Sequence, residues 1–141
     1  MGCDIHPRVE VRSEHAHEWL AVGYPDRGRC YNFFAYIAGV RSYSEKDDEG
    51  LFKDRGLPTD AAKMDVGFFG LDPEWLGDHS FTWFTLAEMK AAPRPTLHPE
   101  WGMDHCLQTM WDHWIAFGEA AKLNHEAKSD DDVRFVLGFD N

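Results

Sequence analysis

Residues 4–12, DIHPRVEVR, decide the fold. Ile5, Pro7, Val9 and Val11 fall on one side of the segment. Asp4, His6, Arg8, Glu10 and Arg12 fall on the other. Strict alternation is the signature of a half-buried strand. Proline cannot donate to a ladder, so the strand must have a free or bulged stretch at Pro7. SEHAH reads as a turn and EWLAVG as a second short strand, which makes the start of the chain a hairpin. At the other end, VRFVLGFDN (133–141) is apolar on both faces: Val133, Phe135, Leu137 and Phe139 on one, Val136 and Gly138 on the other. That pattern marks a central strand. If the two terminal strands pair, Asp140 comes to lie near the start of the chain.

Between them, YNFFAYIAGVR reads as a helix with Asn32 as a cap residue and Gly39 weakening its end. The stretch from about 42 to 80 is too long for a plain connection, and its Phe and Trp content argues that it packs down. SFTWFTLAEMKAAP starts a helix capped by Thr85, with Glu88 three residues on as its capping-box partner. The longest helix is expected over about 103–123, with Leu107, Met110, Trp111, Trp114, Ile115, Gly118 and Ala121 on one stripe and His113 at its edge. Strands at both ends with helices between give an α+β fold. It is a small antiparallel sheet, including the N-terminal hairpin and the C-terminal strand, packed with about three helices and a long structured loop.

The 141 residues are expected to form one globular domain (1–141), long enough to bury an ordinary core. Aromatic residues make up 14%, which speaks against disorder. Asp and Glu number 25 against 14 Lys and Arg, a formal charge of −11. Direct nucleic-acid binding and docking on an anionic membrane both need a cationic footprint, so both are excluded as expectations. The charge serves solubility or, in a sharper reading, an acidic decoy that covers a nucleic-acid-binding protein. Cys3, Cys30 and Cys106 are odd in number and fit no CxxC spacing. The expectation is therefore no disulfide framework and a reducing, cytoplasmic setting. Charges interrupt the first residues, so no signal peptide is expected, and no apolar run approaches the ~18 residues of a membrane span.

Candidate chemistry begins on the first strand. Asp4 and His6, at i and i+2, leave one face about 7 Å apart. They suit two ligands of one divalent metal ion or a carboxylate–imidazole pair, and Glu10 follows on the same face. An ordinary solvated strand face gives the same pattern. Cys3 falls with Ile5 and is read as a buried thiol. His79 and Ser80 precede the capped helix and offer either turn chemistry or acid–base groups. Arg55, beside Asp60, is either half of a structural ion pair or a fork for phosphate or carboxylate. Arg29 and Arg41 bracket the first helix with the same ambiguity. His15, His17, His98, His105 and His125 are set aside as exposed, and His113 is read as a boundary core residue.

Five segments in series, MGCDIHPRVE, RCYNFFAYIAGVR, DRGLPTD, HSFTWFTLAE and VLGFDN, resemble a family of small proteins from bacteriophage and bacterial genomes. Its members begin MGCDIHxxxE, carry RNYxLFA, RGLPxD and HSxSWL, and close on FDN. The chain departs from that pattern at Cys30, at Asp54 in place of Pro, and at Thr82 in place of Ser. The resemblance brings a setting, the bacterial host cell, but no activity. It does concentrate attention on Asp4, His6, Glu10, Arg55, Asp60, His79, Ser80 and Asp140, which packing alone does not explain. A buried carboxylate must be paired, metal-bound or facing a pocket. The resulting expectation is a small enzyme or pocket protein for an anionic small molecule, a nucleotide or phosphate ester. His6, His79 and Glu10 are its candidate catalytic groups. Arg29, Arg41, Arg55 and Ser80 would bind substrate, and Asp4, His6, His79 and Asp140 would hold a divalent metal ion for hydrolysis. The alternative is a non-catalytic accessory protein that sequesters a nucleotide signal or blocks a host protein.

Overall fold

The computed structural model describes residues 2–41, 50–62, 76–95 and 106–141. Parts of the long stretch read as irregular (42–49 and 63–75, with Trp75), and the segment 96–105 with His98, Trp101 and His105, lie outside the described residues.

The alternating opening stretch forms strand β1 (Asp4–Val11) and turns back into β2 (Leu20–Gly23). Helix α1 spans Tyr31–Ala38, strand β3 His79–Thr85, helix α2 Leu86–Ala91, helix α3 Cys106–Asn124 and strand β4 Val133–Asp140. The four strands make one antiparallel sheet in the order β2-β1-β4-β3, so the fold is α+β with both terminal strands in the sheet. β4 is central, as its two apolar faces require. Its register runs unbroken along β1, from Asp4 opposite Asp140 to Val11 opposite Val133. Pro7 sits opposite Leu137, and β2 begins to pair only at Val9, so the missing donor falls where β1 lacks its second neighbour.

One face of the sheet carries the core. Cys3, Ile5, Val9 and Val11 join Val133, Phe135, Leu137, Phe139 and Phe84 beneath the three helices. α1 contributes Phe33, Phe34 and Ile37, α2 Leu86 and Met89, and α3 Leu107, Met110, Trp111 and Trp114. Trp114 stacks on Phe135 at 5.2 Å and meets Phe33 edge-on at 4.9 Å. Gly118 lets α3 approach closely, since a Cβ there would lie 2.9 Å from Leu86 and 3.1 Å from Phe135. Phe52, from the described part of the long loop, packs down as expected and stacks on Phe84 at 4.2 Å.

Three expectations need correction. HSFTWFT is a strand rather than the lead-in to a helix, which starts only after Thr85; its aromatic and β-branched residues fit a pleated surface better than a helix. The capping box itself is present, with Glu88 N–H donating to Thr85 Oγ1 at 3.0 Å. His113 is exposed, beyond the edge of the apolar stripe. Cys30 and Cys106 form a disulfide, which ties the residue before α1 to the first residue of α3 across 76 positions. Sequence spacing could not reveal it, because the fold and not the local motif brings the two together. With it goes the thiol argument for a reducing compartment. No described helix is long and apolar enough to cross a membrane.

Candidate functional site

The second face of the sheet is polar along β1, as the alternation demands, but its middle is not solvated. Glu10 is fully buried. Its Oε1 accepts from Arg134 Nε at 2.8 Å, and its Oε2 accepts from Arg8 Nε at 2.8 Å and from the Ala62 backbone N–H at 3.0 Å. Arg134 also donates to Asp60 Oδ1 at 2.9 Å and lies 3.9 Å over the Trp19 ring, whose Nε1–H donates to Asp60 Oδ2 at 3.1 Å. A buried carboxylate with three donors answers the question its position raised: it is paired. Asp60 therefore belongs with Arg134. Arg55 pairs with Glu88 instead, at 2.6 Å, and also donates to the Trp83 carbonyl at 3.3 Å.

The remaining candidates gather at one end of the sheet, where β1 and β3 begin and β4 ends. The Asp4–Asp140 register places His6 Nε2 3.2 Å from Asp140 Oδ1, with both side chains partly exposed. Asp4 is engaged by Arg29, Nε to Oδ1 at 2.6 Å and Nη2 to Oδ2 at 3.2 Å. Hydrogen bonding from that guanidinium holds the Asp4 carboxyl below its ordinary value of 3.8. Cys3 is buried as read, and its backbone N–H donates to the Tyr31 hydroxyl at 3.2 Å. Burial pushes its thiol up, against a smaller opposing effect of the hydrogen bond from Arg41. Cys3 is thus a structural thiol. Arg41 also lies 5.6 Å over the Tyr31 ring and has a left-handed backbone, φ 58°.

His79 lies opposite Phe139, so it shares the core side of the sheet with Phe139 and Asn141, while Asp140 points to the other. Its ring lies 6.3 Å from that of Phe139. Nε2 contacts Asn141 Oδ1, and Nδ1 lies 2.8 Å from Ser80 Oγ. His79 and Ser80 stand at the far end of β3 from the α2 cap, roughly 20 Å away by strand length, so the α2 N-terminus does not serve them. The structure thus brings together His6 with Asp140, and His79 with Ser80, as two neighbouring groups on opposite faces. Glu10, Arg29 and Arg55 are drawn into ion pairs.

For a metal ion, the set with three donor atoms within 4.8 Å of one another among the described residues is Glu14, His15 and Glu126, all exposed. His15 is one of the histidines that exposure sets aside, and only the fold brings Glu126 beside it. Comparison of the chain with family models, with curated proteins and with solved structures gives no match.

Proposed function

We propose that the protein is a small enzyme of the bacterial host cell that hydrolyses an anionic small molecule, a nucleotide or another phosphate ester, at the end of the sheet where β1 begins and β4 ends. The observation that carries this reading is the His6–Asp140 contact of 3.2 Å, between side chains that are each partly exposed although Nε2 itself is buried against the carboxylate. A carboxylate beside an imidazole orients the ring and stabilises the cation that forms when it takes a proton. His6 would take that proton from a water aligned on the substrate. Arg41 stands at the same end, and Arg29 would reach an anion by exchanging Asp4 for it. A divalent metal ion would find donors in His6 and Asp140, with Asp4 joining only after release from Arg29.

The test is turnover of a panel of nucleoside phosphates and p-nitrophenyl phosphate, with and without added Mg²⁺, Mn²⁺ or Zn²⁺. His6→Ala is expected to lower kcat by about 10²–10⁴-fold, the usual worth of a general base. Turnover that His6→Ala leaves intact would overturn the reading.

A second reading has its own observation. Arg29 and Arg55 are already neutralised by Asp4 and Glu88, within a chain of net charge −11. This favours a non-catalytic accessory protein that blocks a host protein through its acidic surface. Co-purification of one host protein, with no turnover across the panel, would select it.

A further inference from the structure

We propose that Ser80 is a nucleophile, with His79 as its general base and Asn141 as the group that orients the imidazole, and that this centre transfers an acyl group from a carboxylic ester to water. The inference goes beyond the function proposed above and uses neither His6 nor Asp140.

The Asn141 amide, placed with Oδ1 toward the ring, assigns the tautomer. Asn141 Oδ1 is a carbonyl oxygen and can only accept, so the nitrogen that faces it, His79 Nε2, carries the ring proton. In the neutral ring that leaves Nδ1 with a free lone pair, and Nδ1 is the atom 2.8 Å from Ser80 Oγ. The hydroxyl proton of Ser80 is therefore aimed at a basic nitrogen whose ring is held from behind. Nucleophile, base and orienting group stand in hydrogen-bond sequence, which is the general arrangement of an activated serine. The ring's position is further set by its stacking against buried Phe139.

The backbone supports the same assignment. The register of β3 on β4 jumps from His79 opposite Phe139 to Thr82 opposite Leu137, so one extra residue is bulged out. Ser80 lies in that bulge with φ 56°, the left-handed region. Bulges and such dihedrals re-aim side chains at functional sites. Ser80 and His79 are both only partly buried, so a substrate can reach them.

In the acylation step Ser80 Oγ bonds to the ester carbonyl carbon while its proton passes to His79 Nδ1. The bond from that carbon to the alcohol oxygen breaks, and the alcohol leaves with the proton from Nδ1. Water then attacks the acyl-serine, giving one proton to Nδ1. The carboxylic acid departs and Ser80 Oγ recovers that proton. Ser80 and Asn141 bring no charge of their own to the centre, which suits a carboxylic ester. Phosphoryl transfer would call for cations around the transferred group.

The test is covalent labelling of the full chain with a fluorophosphonate, read by intact and peptide mass spectrometry, together with hydrolysis of p-nitrophenyl acetate. A single adduct on Ser80 is expected. It should be absent in Ser80→Gly, a substitution that keeps the left-handed backbone without strain. Labelling and hydrolysis should fall by roughly 10²-fold in His79→Ala. Absence of a Ser80 adduct on protein whose circular dichroism shows it folded would overturn the proposal, as would equally fast labelling of Ser80 in His79→Ala. Phosphate-ester turnover without a Ser80 adduct would leave the earlier reading standing and refute this one.

Discussion

Arg134 on β4 and Glu10 on β1 stand opposite each other in the sheet register, 2.8 Å apart from Nε to Oε1, and neither is accessible to solvent. Arg8 and the Ala62 N–H complete the coordination of the carboxylate. Removing one member of a buried pair strands the other charges in the interior, at a cost of about 3–5 kcal/mol. Glu10→Ala is expected to lose stability on that scale in urea unfolding. A loss below about 1 kcal/mol would mean the network is open to water. The same geometry makes Glu10 an anchor for residues 60–62, because a role in catalysis would require one of its three donors to leave.

The disulfide gives a second prediction. Cys30 and Cys106 are 76 positions apart, and a disulfide typically stabilises a fold by roughly 2–4 kcal/mol, toward the upper end for a loop this long. Oxidised protein should show one thiol, Cys3, that reacts only on unfolding, since Cys3 is buried and its thiol is pushed up by burial. Dithiothreitol or Cys30→Ser should lower the melting temperature. Three reactive thiols in the air-oxidised, denatured protein would show that the bond does not form.

How far the fold was legible depended on how local each signal was. The alternation of 4–12 and the double apolar face of 133–139 marked β1 and β4 and left their pairing a conditional expectation, while the register that brings His6 to Asp140 came only from the structure. The Thr85–Glu88 capping box could be read because both partners lie within one turn. β3 was missed because Ser and Thr, which cap helices, also populate strands. The pairings that define the polar face were not legible at all. Arg134 reaches Asp60 across 74 positions and Glu10 across 124, and nothing local distinguishes these groups from solvated charges. The Ser80 bulge was hidden for a different reason, since a left-handed serine leaves no mark in composition or periodicity.

Gly138 gives a steric prediction. It sits near the C-terminal end of β4 opposite His6, and a Cβ there would lie 2.1 Å from the Leu76 carbonyl oxygen and 2.6 Å from Phe81. The backbone oxygen cannot swing aside as a side chain would. Gly138→Ala is expected to cost about 1–3 kcal/mol, as for overpacking in a tight interior. Because the residue neighbours Asp140, the variant should also perturb any activity that depends on the His6–Asp140 contact. Unchanged denaturant unfolding would show that the 76–81 segment does not lie against β4.

Stability should fall on the acid side, and the sign follows from the direction of the carboxylate shifts. Hydrogen bonding from Arg134 holds Asp60 below its ordinary value of 3.8, Lys122 and Lys90 do the same for Asp130, and Arg55 holds Glu88 below 4.5. A carboxylate whose folded value is depressed binds fewer protons in the folded state than in the unfolded one. Its contribution is complete above the unfolded value and is lost as pH falls through the folded one. Unfolding free energy should therefore hold level down to about pH 5 and decline progressively below it. Asp60 is more than half exposed, so solvent screening limits its share, and the informative quantity is the slope. Asp60→Asn removes one titrating group from the acid limb. Plotted against pH, the free energy from urea melts should fall less steeply in Asp60→Asn than in the parent between pH 4 and pH 2. Parallel acid limbs would mean that the Asp60–Arg134 pair does not persist in solution.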